Sequence, residues 1–242
     1  MARQSSKQEN EIVYVLHTYP FKETSLIVEI FSQVHGRISL VAKGARRPRS
    51  LVRGMLQSFQ SLQATWSGQG EMKTLHSIEW CDALMQIEGD ALICGFYINE
   101  LLMRLLPKED PHEGLFEFYH QTMKRLSNKD SLSVTLRRFE LRLLQELGYQ
   151  LPLIEDENGE PVNPSKIYYY EAGYGPTDPN NSKEGVPILG RTLIDMASDD
   201  YQDNKTEQQS KQLMRYLIGH YLGDKPLNSK KLFLHLEGET NE

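Results

Sequence analysis

Gly36-Arg-Ile-Ser-Leu-Val-Ala-Lys-Gly-Ala-Arg-Arg-Pro-Arg-Ser50 holds two different signals in fifteen residues. Its first half alternates: Ile38, Leu40 and Ala42 fall on one face, and Arg37, Ser39, Val41 and Lys43 on the other, which is the period of a half-buried strand with one face open to a ligand. Its second half is cationic and rich in Gly, Pro and Ser, the composition of a mobile loop after a strand. On either side the β pattern continues. Ile12 to Leu16, Ser25 to Phe31, Phe59 to Trp66 and Met72 to Trp80 are also rich in β-branched and aromatic residues, with turn signals at Tyr19-Pro20, His35-Gly36 and Gly68-Gln69-Gly70. Five short strands before residue 81 predict a small barrel, placed at residues 1–80.

After Trp80 the period lengthens to that of helices. Asp90 to Leu106, closed by Pro107, is apolar nearly all round; Pro111 to Leu126 and Ser131 to Leu147, the latter stopped by Gly148, read as its neighbours. Residues 150–190 carry six prolines and the carboxylates Glu155, Asp156, Glu157 and Glu160, with only Lys166 to Glu171 looking extended, so an irregular loop or subdomain is expected there. Helices return at 191–197 and 206–222, followed by a short Ser229 to Leu236 segment. The organisation is therefore α+β: a barrel at 1–80, helices at 81–149 and 191–242, and an irregular insert between them.

Composition removes several classes of function. Of 242 residues, 39% are hydrophobic and 25% charged, which suits folded domains. The most apolar stretch, Ala91 to Leu106, is broken by Asn99, Glu100 and Arg104, so no membrane span is expected. The polar first eleven residues show no secretory signal, and a cytoplasmic protein is the expectation. Two cysteines, Cys81 and Cys94, exclude a disulfide scaffold and a four-cysteine zinc site. Phosphate-binding, dinucleotide, zinc-protease and serine-hydrolase motifs are missing, and the carboxylates near 155–160 read as a solvated loop; no cofactor, metal or catalytic residue is expected.

Charge is the positive signal. The net charge is −6, yet residues 1–80 sum to +4, 81–154 to −3 and 155–242 to −7. No Asp or Glu falls between Glu29 and Glu71, while Arg37, Lys43, Arg46, Arg47, Arg49 and Arg53 crowd into seventeen residues. That block is the candidate phosphodiester contact, with Tyr14, Tyr19, Phe21, Phe31, Phe59 and Trp66 in the same domain as rings for base stacking or for the core. A second candidate lies on the helix from Ser131. Leu132, Leu136, Phe139, Leu143 and Leu147 form one apolar stripe; Val134, Leu141 and Leu144 form another with Arg137 in its middle, and Arg138 and Arg142 lie between. Two greasy sides fit a helix sandwiched between neighbours, or a groove where a cation beside an apolar surface receives an acidic peptide with a hydrophobic end.

Several stretches together resemble a known family. Leu16-His-Thr-Tyr-Pro-Phe-Lys-Glu-Thr-Ser-Leu26, the 36–46 strand and turn, Gly70-Glu-Met-Lys-Thr-Leu75, Tyr97-Ile-Asn-Glu-Leu-Leu102, Leu136-Arg-Arg-Phe-Glu-Leu141 with Leu147-Gly-Tyr149, and Leu222-Gly-Asp-Lys-Pro-Leu-Asn-Ser229 occur in the order and spacing of the bacterial RecO recombination mediators. The resemblance implies an OB-fold barrel followed by a helical domain. It also implies binding of single- and double-stranded DNA, strand annealing, and cooperation with RecR in replacing single-strand-binding protein (SSB) by the RecA recombinase. The acidic, Phe-ended SSB tail would dock on the helical domain, at Val134, Arg137, Arg138, Leu141, Arg142 and Leu144. Where many RecO proteins carry a four-cysteine zinc module, residues 150–190 hold no cysteine, so the sequence resembles the zinc-free branch. Two other readings compete: an adaptor whose basic loop binds an acidic polypeptide, and a hydrolase using the loop carboxylates.

Overall fold

In the computed structural model, residues 7–149, 151–181, 184–223 and 226–229 are described. Most of the expected Ser229 to Leu236 segment lies outside them. The first strand, β1 (Lys7–Phe21), is followed by β2 (Ser25–Ser32), β3 (Gly36–Ala42), a short helix α1 (Leu51–Met55), β4 (Leu62–Ser67) and β5 (Met72–Trp80). They close into a barrel in the order β1-β2-β3-β5-β4, with β3 and β5 parallel and the other neighbours antiparallel. Closure depends on the length of β1. Its C-terminal part pairs with β2 and its N-terminal part with β4, and irregularities at Val15/His17 and Gln8/Glu11 bend it around the barrel. The turn expected at Tyr19-Pro20 falls instead at Lys22 to Thr24. Pro20 pairs with Leu26 one residue from the strand end, where a missing N–H costs little.

Ile38, Leu40 and Ala42 point inward as the alternation requires, meeting Val13, Val15, Val28, Ile30, Leu62, Ala64, Trp66 and Ile78 in the barrel core. The outer face is not uniformly open. Helices α2 (Gly89–Leu105) and α3 (Glu113–Ser127) cover one end of it: Tyr14 and Phe31 pack on Phe116 and Tyr119 with ring centroids 4.9–6.1 Å apart. Asn99 of α2 donates to the Leu16 carbonyl at 3.0 Å and accepts from the Tyr119 hydroxyl at 2.7 Å, so the buried amide is satisfied. These helices therefore share a compact unit with the barrel, running to Lys129 and including the described end of the chain from Leu227. The change of period at residue 80 marks where strands give way to helices; the compact units divide later, at 129/130.

The second unit, Asp130–Pro226, contains α4 (Leu132–Glu146), β6 (Ile167–Glu171), β7 (Gly175–Thr177), β8 (Val186–Leu189), α5 (Gly190–Ala197) and α6 (Asn204–Leu222). Caps come from Ser131 and Asp203, each accepting from a backbone N–H three residues on. The region expected to be irregular forms a three-stranded antiparallel sheet, β7-β6-β8. Its strands are only three to five residues long and contain Pro176 and Pro187, so no alternation long enough to read survives. Side chains close its loops: Asp156 accepts from the N–H groups of Asn158 and Glu160, Glu157 accepts from the Asp178 N–H and the Asn181 amide, and Lys166 pairs with Asp178. Gly185, at φ +85°, passes so close to Tyr170 that a Cβ would lie 2.1 Å from its carbonyl oxygen.

Candidate nucleic-acid interface

Register sorts the outer face of the barrel into rows. Tyr14, Phe31 and Arg37 form one row, His17, Glu29 and Ser39 the next, then Tyr19, Ile27 and Val41. Tyr14 and Phe31 of the first row are under α3. Arg37 donates from Nε to the Leu106 carbonyl at 3.2 Å and from Nη1 to Glu29 at 3.4 Å; Ser39 donates to the same carboxylate at 2.6 Å and accepts from Lys108 at 2.8 Å. Arg37 is thus part of a packed charge network, and the structure does not bring it to the basic segment. The third row is open: Tyr19 is 43% exposed, with Ile27 and Val41 half-buried beside it.

Beyond that row lies the β1–β2 turn, and the cationic segment docks on it. The Arg46 N–H donates to the Thr24 carbonyl at 2.8 Å and Arg46 Nη1 to the Lys22 carbonyl at 3.2 Å. Ala45 is fully buried in the barrel core, and the Arg47 and Ser50 N–H groups close successive turns onto the Gly44 and Arg47 carbonyls. The segment expected to be a mobile loop is therefore a pinned series of turns leading into α1. Lys43, Arg46, Arg47, Arg49 and Arg53 are all exposed along it. Lys22 stands 5.2 Å above the half-buried Phe21 ring, and His17 packs edge-on against Tyr19 at 4.4 Å. Burial pushes the Tyr19 hydroxyl pKa up, with Glu29 adding to it and Arg37 opposing.

Cations on this pinned segment can track a phosphodiester backbone while a base stacks on the exposed Tyr19 or the half-buried Phe21. Of the six candidate rings, Tyr14, Phe31, Phe59 and Trp66 are core, at 0–5% exposure. Lys22 and His17 were missed in reading the sequence, although Lys22 directly follows Phe21 and His17 stands two residues before Tyr19 on the same strand face.

The second candidate has a different geometry. Arg137 is 6% exposed and donates from Nη2 to Glu140 at 2.7 Å, one helical turn on. Its Nε is buried without a hydrogen-bond partner among the described residues. Leu144 is fully buried, while Val134, Arg138, Leu141 and Arg142 are half-buried. Arg138 bonds Asp199 at 2.6 Å beneath the Tyr201 ring, and Arg142 pairs with Glu146 at 2.5 Å. Burial raises the Tyr201 hydroxyl to about 12. The three arginines expected to line a peptide groove are thus each engaged with a carboxylate of the same chain.

The family models for the N- and C-terminal parts of recombination protein O match residues 7–84 and 88–231. This chain belongs to the RecO family. It is 49% identical to the DNA repair protein RecO of Nitrosospira multiformis over 93% of this chain and 95% of that protein. Identity to the RecO proteins of Aromatoleum aromaticum and Dechloromonas aromatica is 48% and 45%, over 97% and 96% of this chain and 98% of each relative. The closed five-stranded barrel is the OB-fold of the RecO N-terminal domain, and DNA repair is the role of this RecO chain. Among the described residues no helix is long and apolar enough to cross a membrane, and no three His, Cys, Asp or Glu side chains converge on a metal position.

Proposed function

We propose that this RecO chain is a non-catalytic recombination mediator acting in the cytoplasm. It binds single- and double-stranded DNA along the rim formed by Tyr19, Phe21, Lys22, Lys43, Arg46, Arg47, Arg49 and Arg53, and anneals strands without reading sequence. With RecR it helps load RecA onto SSB-coated strand. The observation that carries this reading is the docking of the acid-free segment, with its five exposed cations, on the β1–β2 turn that follows the strand bearing the exposed Tyr19. Neutralising phosphates on two strands reduces their repulsion and favours annealing. An acidic SSB tail would meet α4 at its half-buried Val134, Arg138, Leu141 and Arg142, with Arg137 and Leu144 behind them. Joining a weak tail contact to a weak DNA contact raises the effective concentration of the second.

The test is fluorescence anisotropy with labelled single-stranded DNA at several salt concentrations, with and without SSB tail peptide. Affinity should fall linearly on a log–log plot against salt, almost independently of base sequence, and the peptide should bind without displacing DNA. Absence of salt-dependent DNA binding, with retention of an acidic polypeptide partner, would make the chain a protein-only adaptor.

A further inference from the structure

The barrel unit also contains a stretch of chain whose charge is opposite to that of the basic segment. From residue 74 to residue 103 there is no Lys or Arg, while Glu79, Asp82, Glu88, Asp90 and Glu100 fall in the same span. The strap joining β5 to α2 runs through this span. Gln60 holds it: the side-chain amide donates to the Met85 carbonyl and accepts from the Met85 N–H, both at 2.9 Å, imitating a strand pair. Between the strap and the start of α2 lies a groove of about 380 Å³, lined by Phe59, Met85, Ile87, Leu92 and Phe96 with glutamines 57, 60 and 86 and Glu88 at its edges. None of its lining residues is cationic.

The groove has a rigid aromatic floor and an unfinished wall. Phe59 is 5% exposed and takes a positive φ of 69°, an uncommon conformation for a bulky residue. It is accommodated by Gly95, where a Cβ would come within 2.9 Å of the Phe59 ring. Phe96 meets Phe59 edge-on at 5.1 Å yet remains 41% exposed, and Leu84 on the strap is 51% exposed. A large exposed ring beside a preformed pocket is the arrangement of an anchor site for a partner's apolar side chain. Glu88 on the groove, with the exposed Asp82 and Asp90 near it along the chain, disfavours nucleic acid and selects the sign of the partner's flanking charge.

We infer that this groove docks a polypeptide segment of a partner protein, one that carries a large apolar side chain flanked by Lys or Arg. The surface lies on the DNA-binding unit but uses none of the rim residues, so it can be tested whether or not the DNA reading holds. The probe is a capped heptapeptide with Phe-Leu at its centre and Lys or Arg at both ends. It is compared with the same peptide ending in Glu and with a cationic peptide whose centre is Ser-Ser. The full chain, labelled with ¹³C at its methionine methyls, reports binding through Met85, with the buried Met123 and Met214 as controls.

The cationic Phe-Leu peptide should shift the Met85 methyl in a saturable way, and the acidic and Ser-Ser peptides should bind at least about tenfold more weakly. Phe96→Ala should abolish the response. Glu88→Lys, an exposed change away from the core, should weaken the cationic peptide and strengthen the acidic one. Equal responses to the two charged peptides, a Met85 signal unmoved by any of them, or Met85 moved instead by an oligo-dT strand would each overturn the inference.

Discussion

The segment around Arg46 and the helix around Arg137 look alike in sequence, since each sets several arginines among apolar residues, yet the fold treats them in opposite ways. The first has no acid within reach along the chain and sits on turns, so its charges stay in water. The second has Glu140 one turn on and lies among the buried Phe139, Leu143 and Leu144 of its helix, so Arg137 is drawn into a buried pair. A cation is displayed when nothing local neutralises it and its element has only one side to bury. It becomes structural when an i+3 acid and a second apolar face make burial tolerable.

Removing one half of the buried pair is the largest expected effect. Arg137→Ala should lower stability by about 3–5 kcal/mol in urea denaturation, because the buried Glu140 carboxyl loses the guanidinium 2.7 Å from it. Replacing both residues by Met and Leu should recover most of that loss. A stable Arg137→Ala protein that loses only SSB-tail affinity would return Arg137 to the role of peptide anchor and erase the contrast.

The same cluster gives a pH signature. With the Tyr201 hydroxyl raised to about 12 by burial, with Asp199 adding to this and Arg138 opposing it, and an unfolded value near 10, the unfolded chain ionises first as pH rises. This contribution is fully present below about pH 10 and is lost as pH climbs through about 12, amounting to something on the order of 2 kcal/mol. Tyr201→Phe should make the alkaline decline shallower by that amount in paired denaturation curves. At neutral pH it should cost little, since the hydroxyl has no hydrogen-bond partner among the described residues. Identical slopes for the two proteins would show that Tyr201 does not titrate in the folded state as its burial requires.

The basic rim should respond in binding and not in stability. Tyr19→Ala should cost about 1–3 kcal/mol of single-strand affinity if a base stacks there, and much less for duplex DNA. Equal losses on both forms would make Tyr19 a support for the turn. Changing Arg46, Arg47 and Arg49 to Ala should leave the smallest mark on stability and weaken DNA binding most at low salt. It should flatten the dependence of log affinity on log salt by up to about 0.7 for each phosphate of a single strand that is no longer neutralised, with stability within about 0.5 kcal/mol of the parent. An unchanged slope in the folded triple variant would move the phosphate-binding groups off this rim.

Much of the barrel was legible because its strands are rich in β-branched and aromatic residues between turn signals, and the inward face of β3 is the one its alternation announces. The β7-β6-β8 sheet was not, because strands of three to five residues interrupted by proline leave too few positions to show a period. The cationic half of the candidate interface was legible as a gap in acids. Arg37 belonged to that gap, but its pairing with Glu29 depends on β2–β3 register, which places residues eight apart in sequence on adjoining strands.

By itself the sequence determined the α+β order, the strand-to-helix change near residue 80, the sign of charge along the chain and the family. These are local or cumulative properties, written in neighbouring residues. Only the tertiary structure decided which arginines face water, which rings are core and which open, and where the compact units divide. Those outcomes depend on what packs against each side chain from distant parts of the chain. The alternation that marks Arg37 as outward-facing cannot say that Leu106, Lys108 and α3 will cover that end of the face. Nor can it say that the turn at Lys22 to Thr24 will hold Arg46 at the end left open.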